Sequence, residues 1–137
     1  MTHLSSINLF ARDLDGLVGF YAGLFGLEEK LEQRGPIYRA LDGGGVAKGV
    51  AIGFNAVDAY RLLNLESFPP PAGVRAMLTF EVADQQAVEQ LSGEAEGRGA
   101  TIVKAPFDTA YGSRQAVLLD PEGNVFRINA FQSAAPR

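Results

Sequence analysis

The strongest constraint on the fold of this chain is an internal repeat. An alternating strand pattern, followed by an aspartate and an amphipathic helical pattern, occurs twice. When Asp13 is placed against Asp84, Leu9 aligns with Phe80, so the apolar strand positions of the two copies coincide. An aspartate in this place accepts hydrogen bonds from the first free amides of a helix. The repeat therefore predicts two modules of the same secondary structure, each of the βαβββ type.

The two predicted modules are separated by a segment rich in turn-forming residues. Module one spans about 4–54, module two spans 74–131, and the linker 55–73 contains three consecutive prolines. Placing Asp42 against Asp120 also pairs the predicted hairpin turns of the two modules. A chain of 137 residues, 47% of them hydrophobic, has the size and composition of one globular domain. We therefore expect a single α+β domain over the whole chain, built from two modules.

Charge and composition argue against several functional classes. The net charge of −4 and the pI near 4.9 argue against nucleic-acid binding, which requires a basic surface. No apolar run is long enough to span a membrane, and the first residues lack the basic start and hydrophobic core of a signal peptide. The chain has no cysteine, so neither disulfides nor thiolate chemistry is available. We therefore expect a cytoplasmic protein that binds neither nucleic acid nor membrane.

A strand–turn–strand pattern closes the second module. The run Gln115–Leu119 is mostly apolar, and Asp120-Pro-Glu-Gly supplies the residues of a tight turn. The next segment, Asn124–Phe131, alternates in character, as expected for a strand with one face on the core. Phe126, Ile128 and Ala130 are predicted to point one way, and Val125, Arg127, Asn129 and Phe131 the other.

The closing hairpin resembles that of a known superfamily. Its sequence Tyr111-Gly-Ser-Arg, followed by Leu-Leu-Asp-Pro-Glu-Gly-Asn-Val-Phe, is similar to the last hairpin of the vicinal oxygen chelate superfamily. That superfamily contains glyoxalase I, the bleomycin-resistance proteins and the extradiol dioxygenases. The opening strand and helix are similar as well, with Phe20-Tyr21 and Gly26-Leu27 at the family's aromatic pair and closing pair. The resemblance covers nearly the whole chain and implies curled mixed sheets around a concave cavity, with the helices outside.

Enzymes of this superfamily generally hold a divalent metal ion on one residue from each of four strands. The corresponding positions here are Ser6, a position near Val50, Met77 and Arg127. A divalent ion prefers imidazole or carboxylate ligands, and a guanidinium repels it at short range. The resemblance therefore implies that the metal site has been lost and that no cofactor is bound. His3 is the only histidine and lies three residues before the expected ligand position, so we expect it on the surface near the chain terminus.

Strand alternation, together with the resemblance, predicts which side chains face the cavity. They are Ser6, Asn8, Phe10, Met77, Thr79, Glu81, Arg127 and Asn129, with Ile52 and Phe54 as further candidates. Such a mixture of apolar walls and a few polar groups suits a small-molecule pocket. Arg127 is suited to hold a carboxylate, which is either Glu81 in a structural pair or an anionic group of a ligand. Tyr111 either closes the mouth of the pocket or packs beneath its own loop.

Three functions remain open on this sequence. The first is a metal-free protein, acting as a homodimer, that encloses a small organic ligand as bleomycin-resistance proteins sequester drugs. The second is a metal-dependent lyase, isomerase or dioxygenase whose ligands lie in an unrecognised register. The third is a metal-free enzyme in which Glu81 is the catalytic base and Arg127 stabilises developing negative charge. Because one scaffold hosts many chemistries, the fold alone does not choose between them.

Overall fold

The predicted repeat is present in the computed structural model, in which the chain forms two compact units at residues 1–70 and 71–137. The structure describes residues 2–44, 49–68 and 73–132. Within these ranges each unit contains one mixed sheet, with three strands in the first unit and four in the second. The α+β class and the βαβββ type of module are therefore confirmed. No helix in the described ranges has the length and apolar composition that crossing a membrane requires.

The first unit consists of a three-stranded sheet and one long helix. Its elements are β1 (Ser6–Ala11), α1 (Leu14–Phe25), a 3-10 helix (Leu31–Gln33), β2 (Tyr38–Leu41), β3 (Ala51–Ala56) and the short α2 (Ala59–Leu62). The strand order is β1-β3-β2, with β1 parallel to β3 and β2 antiparallel to β3. Parallel strands require a long crossover connection, and α1 is part of the connection between β1 and β3.

The ends of α1 are fixed by the predicted N-cap Asp13 and by Gly26, a residue type that commonly ends helices. Asp13 accepts a hydrogen bond from Gly16 N at 3.0 Å, and Gly26 ends the helix in the left-handed conformation with φ 66°. The buried stripe of α1 packs on the sheet, where the ring centroids of Tyr21 and Phe54 are 5.9 Å apart. This packing stabilises a helix whose glycines lower its intrinsic stability.

The sequence pattern predicts a strand at residues 27–33, and this strand forms only in part. Glu29 makes an isolated bridge with Leu41, and residues Leu31–Gln33 form the 3-10 helix. Backbone hydrogen bonds of 2.9 and 2.8 Å flank the bridge on either side. The strand ends there because the amides of Gln33 and Arg34 bond to Lys30 O and Leu31 O within the turn rather than to β2.

The register of β3 differs by one residue from the prediction. Asn8 of β1 lies beside Gly53, and register partners in a sheet project to the same face. Ile52 and Phe54, predicted to face the cavity, therefore point to the opposite face, and both are buried. Their assignment was wrong because a glycine-rich loop precedes β3, so the local pattern leaves the parity of the strand undetermined. The sequence pattern also predicts that this strand begins at Val46, which lies outside the described residues.

The second unit has a four-stranded sheet and one helix. Its elements are β4 (Leu78–Glu81), α3 (Gln85–Gly97), β5 (Thr101–Asp108), β6 (Ser113–Leu119) and β7 (Val125–Phe131). The strand order is β4-β7-β6-β5, with β4 parallel to β7 and the other neighbours antiparallel. Asp84 caps α3 by accepting a hydrogen bond from Ala87 N at 2.8 Å, in the position that the repeat predicts.

The core of the second unit lies where α3 packs on its sheet. The apolar positions of β7, Phe126, Ile128 and Ala130, are completely buried, as the alternation predicts. Phe126 meets Phe80 of β4 edge-to-face, with ring centroids 6.3 Å apart. The alternate positions of β7 therefore project from the opposite face, and this face carries the polar residues.

Candidate functional site

The polar face of the second sheet collects four of the predicted site residues. β4 and β7 run in parallel, with Thr79 beside Arg127 and Glu81 beside Asn129. Because register partners share a face, all four side chains lie on the side opposite to the buried Phe126. The structure therefore brings these four residues together on one surface.

Arg127 is held on this face by neutral oxygen atoms. Its Nε donates to Thr79 Oγ1 at 2.7 Å, and its Nη1 makes longer contacts of 3.5 Å with Tyr111 Oη and Gln115 Oε1. Tyr111 Oη in turn donates to Gln115 Oε1 at 3.1 Å. None of the ion pairs found in the described part of the chain includes Arg127. These contacts orient the guanidinium group without neutralising its charge.

Glu81 is oriented by Asn129 rather than by the guanidinium group. Asn129 Nδ2 lies 3.0 Å from each carboxylate oxygen of Glu81. Asn129 is completely buried, and its Oδ1 has no hydrogen-bond partner in the described ranges. Because Nδ2 faces the carboxylate, the orientation of the amide is determined and Oδ1 cannot exchange places with it. A buried acceptor without a donor is costly, so this arrangement favours the Asn129–Glu81 contact at the expense of the amide oxygen.

Gln115 is the member of this face that sequence reasoning missed. It lies beside Asn129 in the β6–β7 register and is 7% exposed. The turn at Asp120 places Leu119 opposite Val125, and counting back from that pair leads to Gln115. The signal was therefore present in the hairpin register rather than in the character of the strand.

Burial within the predicted set does not follow polarity, since Phe10 is half-buried whereas Thr79 and Glu81 are exposed. Phe10 of β1 packs on Tyr60, with ring centroids 4.7 Å apart. Met77 precedes β4 and is 41% exposed. Tyr111 is 44% exposed and bonds to Gln115, so it belongs to the rim of the polar face rather than to a buried cluster beneath its loop.

The polar face of the first sheet is built around Gly53. Asn55 Nδ2 donates to Asn8 Oδ1 at 3.2 Å, and Asn8 Nδ2 donates to Ser6 Oγ at 3.1 Å. A Cβ atom on Gly53 would overlap Asn8 Oδ1 and come within 2.7 Å of Tyr38 Oη. The absence of this atom gives both polar groups room over the middle of the sheet.

The residues at the positions of the superfamily metal do not fit a divalent ion. Ser6 Oγ accepts from Asn8, Val50 and Met77 are apolar, and Arg127 carries a positive charge. No group of three or more His, Cys, Asp or Glu side chains that could hold a metal occurs in the described ranges. The donor chemistry at these four positions therefore disagrees with a metal centre of the usual type.

A cavity of about 560 Å³ opens on the first unit, near the start of β1. Its polar lining includes His3, Ser6, Lys30, Gln33, Tyr38 and Asp42. His3 is exposed, as predicted for a residue near the terminus, and it is also part of this wall. Sequence reasoning missed Lys30 and Asp42, because only the bridge between the segment after α1 and the end of β2 brings them to one cavity.

The strongest pKa shifts occur away from both polar faces. The guanidinium groups of Arg34 and then Arg39 lower the pKa of Glu29 to about 2, chiefly through hydrogen bonds. Arg39 also pairs with Asp15 of α1 at 2.7 Å. This cluster joins the helix to the sheet, so we assign it a structural role.

Comparison with known proteins places the chain among glyoxalase-like folds. The sequence model of the glyoxalase-like domain matches residues 6–129. The crystal structure of a glyoxalase/bleomycin resistance protein/dioxygenase family enzyme from Burkholderia phytofirmans PsJN is similar with a TM-score of 0.87 and 44% sequence identity, and the match covers 95% of this chain and 99% of that chain. No curated protein matches the sequence significantly.

More distant structures share the fold alone. The lactoylglutathione lyase from Agrobacterium tumefaciens has a TM-score of 0.67 and 18% identity, and the match covers 95% of this chain and 94% of that chain. TioX from Micromonospora sp. ML1 has a TM-score of 0.64 and 19% identity, with 95% of this chain and 99% of that chain covered. Their common architecture extends over almost the full length of each protein.

Proposed function

The chain belongs to the glyoxalase-like family of the vicinal oxygen chelate superfamily, and we propose that it is a metal-free member that binds a small carboxylate-bearing organic molecule. The observation that carries the proposal is the environment of Arg127. This guanidinium group bonds to three neutral oxygens, on Thr79, Tyr111 and Gln115, and to no carboxylate in the described ranges. A carboxylate of the ligand is its natural partner, since guanidinium and carboxylate groups match in charge and geometry.

The bonds of Arg127 leave room for such a partner. Thr79 occupies Nε and the two longer contacts involve Nη1, so the donors on Nη2 remain for a ligand. Tyr111 at the rim offers a further hydroxyl and an aromatic surface. An aromatic acid or a larger organic acid satisfies both features.

The metal-free part of the proposal rests on donor chemistry. The four superfamily positions hold a hydroxyl, two apolar side chains and a guanidinium group, and none of these replaces an imidazole or carboxylate ligand. We also propose that the protein is a homodimer, because paired modules of this superfamily often complete their cavities across a dimer. The proposed location of this dimer is the cytoplasm. Sedimentation velocity on the purified protein tests the dimer: a single species with the mass of one chain contradicts it.

A second candidate function is a metal-free enzyme. The Burkholderia relative, which is 44% identical, is named a family enzyme. In this chain Glu81 and Arg127 belong to residue pairs that are two positions apart along β4 and β7, which corresponds to roughly 7 Å along the strands. Asn129 orients the Glu81 carboxylate, which would act as the base, while Arg127 would stabilise negative charge on the substrate. Turnover of a bound acid that is lost in Glu81→Gln, with binding retained, would favour this candidate.

A thermal-shift screen tests the binding proposal. The panel contains aromatic acids, glutathione conjugates and glycopeptide antibiotics, and each carboxylic acid is compared with its amide. We expect one acid class to raise the melting temperature of the wild type, and we expect this rise to vanish in Arg127→Gln and with the amide. Equal stabilisation by acid and amide, or an unchanged response of Arg127→Gln, contradicts the carboxylate assignment.

Metal content is tested on the same preparation. Elemental analysis should find no stoichiometric zinc, nickel, iron or manganese, and EDTA should leave the melting temperature unchanged. A stoichiometric transition metal that survives gel filtration would contradict the metal-free assignment and favour a metal-dependent lyase, isomerase or dioxygenase with ligands in another register.

A further inference from the structure

The cavity on the first unit is lined by two opposite charges that do not pair with each other. Lys30 and Asp42 both contribute to its wall. The ion pairs of the described ranges do not include either residue, so their charged atoms are more than 4.0 Å apart. Two opposite charges that line one cavity without forming an ion pair leave a gap that a bound ligand can bridge.

The backbone fixes the relative position of these two charges. Lys30 N donates to Ala40 O at 2.9 Å, and Asp42 N donates to Glu28 O at 2.8 Å. Lys30 and Asp42 are thus diagonal neighbours around the Glu29 bridge, which corresponds to a separation of roughly 7–8 Å between their main-chain positions. The Asp42 carboxylate is further oriented by Gly44 N, which donates to its Oδ1 at 3.0 Å.

The remaining wall suits a small organic molecule. Tyr38, Gln33 and Ser6 contribute hydroxyl and amide groups, and Val50 contributes an apolar surface. The volume of about 560 Å³ lies within the range typical of small-molecule pockets. A single amino acid would fill only part of this space, whereas a molecule of about dipeptide size would contact several of its walls.

We propose that this cavity is a binding site for a zwitterionic organic molecule of about dipeptide size, with the ligand's carboxylate on Lys30 and its ammonium group on Asp42. A ligand with one sign of charge would satisfy one of these residues and be repelled by the other. A zwitterion satisfies both and adds no net charge to the cavity. The site lies within the first unit and goes beyond the proposed function, because neither Arg127 nor its partners take part.

The first test uses the wild-type protein and glycyl-L-leucine as the probe. Isothermal titration measures its dissociation constant alongside those of two blocked analogues. N-acetylglycyl-L-leucine lacks the ammonium group, and glycyl-L-leucinamide lacks the carboxylate. We expect glycyl-L-leucine to bind, and each analogue to bind roughly tenfold more weakly because it leaves one charge unpaired. Equal affinities for the three compounds, or no detectable binding of the dipeptide at millimolar concentration, would overturn the proposal.

The second test assigns each ligand charge to its residue. Lys30→Ala should weaken the binding of glycyl-L-leucine roughly tenfold. It should not weaken the binding of the amide, which has no carboxylate to lose and is no longer repelled by the ammonium group of Lys30. Asp42→Asn should weaken the binding of glycyl-L-leucine in the same way without weakening the binding of the N-acetyl analogue, which has no ammonium group. The side-chain oxygen of the new asparagine can still accept the hydrogen bond from Gly44 N. Lys104→Ala and Asp58→Asn make the same changes of charge elsewhere and should bind like the wild type.

The assignment fails if Lys30→Ala weakens the dipeptide and its amide equally. It also fails if the two control variants lose as much affinity as the cavity variants, since a general change in net charge would then explain the result. Urea unfolding of each variant identifies any that fail to fold, and the comparison of analogues on the wild type stands without them.

Discussion

Arg127 Nε lies 2.7 Å from Thr79 Oγ1, across the parallel pair of strands β4 and β7. The two residues are register partners although 48 positions separate them in the chain. Because Nε is the donor closest to the aliphatic stem, this bond fixes the plane of the whole guanidinium group. The carboxylate ligand that we propose would meet a cation that is already oriented, so its binding would cost less side-chain entropy.

Thr79→Val should weaken the binding of organic acids while leaving the fold intact. Valine keeps the branched shape but removes the oxygen that orients Arg127. We expect the affinity for the best acid of the thermal-shift screen to fall roughly three- to tenfold, measured by isothermal titration. The free energy of unfolding in urea should change by less than about 1 kcal/mol, because the pair is partly exposed.

The matched control for this variant is Thr101→Val, which makes the same change at an exposed position of β5. It should bind the acid like the wild type. If Thr79→Val also retains full affinity, then Arg127 is positioned by Tyr111 and Gln115 alone.

Glu29 should make the stability of the protein depend on pH in the acidic range. Its oxygens accept from Arg34 at 2.7 and 2.6 Å and from Arg39 at 3.1 and 2.6 Å. These bonds lower the pKa of Glu29 from 4.5 to about 2, and the bonds from Arg34 make the largest contribution. A lowered pKa in the folded state means that the stabilisation is fully present above the unfolded value and is lost as the pH falls toward 2.

The comparison of wild type with Glu29→Gln isolates this contribution. At pH 7 the variant should be less stable by on the order of 1–2 kcal/mol, which is less than the full shift implies because the Arg34 side chain is half exposed. Urea unfolding at pH 7, 4 and 2.5 should show the difference shrinking as the pH is lowered. Glu32→Gln, at an exposed position nearby, should show almost no difference at any pH. A difference between wild type and Glu29→Gln that stays constant with pH would show that the glutamine loses packing rather than charge.

Much of this fold could be predicted because its signals are local. Asp13 and Asp84 cap helices as short-range hydrogen-bond acceptors, and the alternation of β7 places Phe126 in the core. Asp120 and the glycine three residues later form the predicted turn. Each of these features is decided within a few residues, so the sequence carries it directly.

The features that sequence reasoning missed depend on contacts between distant segments. The parity of β3 follows from pairing with β1, and the preceding glycine-rich loop gives no local indication of it. The partners of Arg127 are set by three strands at once, so alternation predicts the face but not the bonds to Thr79 and Gln115. Likewise, Lys30 and Asp42 line one cavity only because the Glu29 bridge forms.

Asp120→Ala should destabilise the second unit. Asp120 is 3% exposed, and its Oδ1 accepts from Glu122 N at 2.8 Å and from Asn124 N at 3.0 Å. Alanine leaves these amides without their acceptor inside a tight turn, and we expect a loss of roughly 2–3 kcal/mol. Urea unfolding measures it, with Asp58→Ala as an exposed control. A loss below about 1 kcal/mol would show that water replaces the carboxylate at little cost.

Gly43→Ala should destabilise the protein more than Gly53→Ala, although both substitutions add one methyl group near the first sheet. A Cβ atom on Gly43 would overlap the backbone oxygen of Val50, which can move only with the main chain. A Cβ atom on Gly53 would overlap the side-chain oxygen of Asn8 and crowd that of Tyr38, and both can rotate away. We therefore expect Gly43→Ala to lose roughly 2 kcal/mol or more of unfolding free energy, and Gly53→Ala about 1 kcal/mol or less.

Gly53→Ala should weaken ligand binding more than it lowers the free energy of unfolding. When Asn8 rotates away it gives up its bonds with Ser6 and Asn55, and Tyr38 leaves its position in the cavity wall. The affinity for glycyl-L-leucine should then fall several-fold in a protein that unfolds almost like the wild type. Gly93→Ala, on α3 with open space around the added atom, is the binding control: it should leave the affinity unchanged while raising the unfolding free energy by up to about 1 kcal/mol. Equal stability losses in Gly43→Ala and Gly53→Ala would mean that the polar side chains over the sheet are held as firmly as the backbone itself.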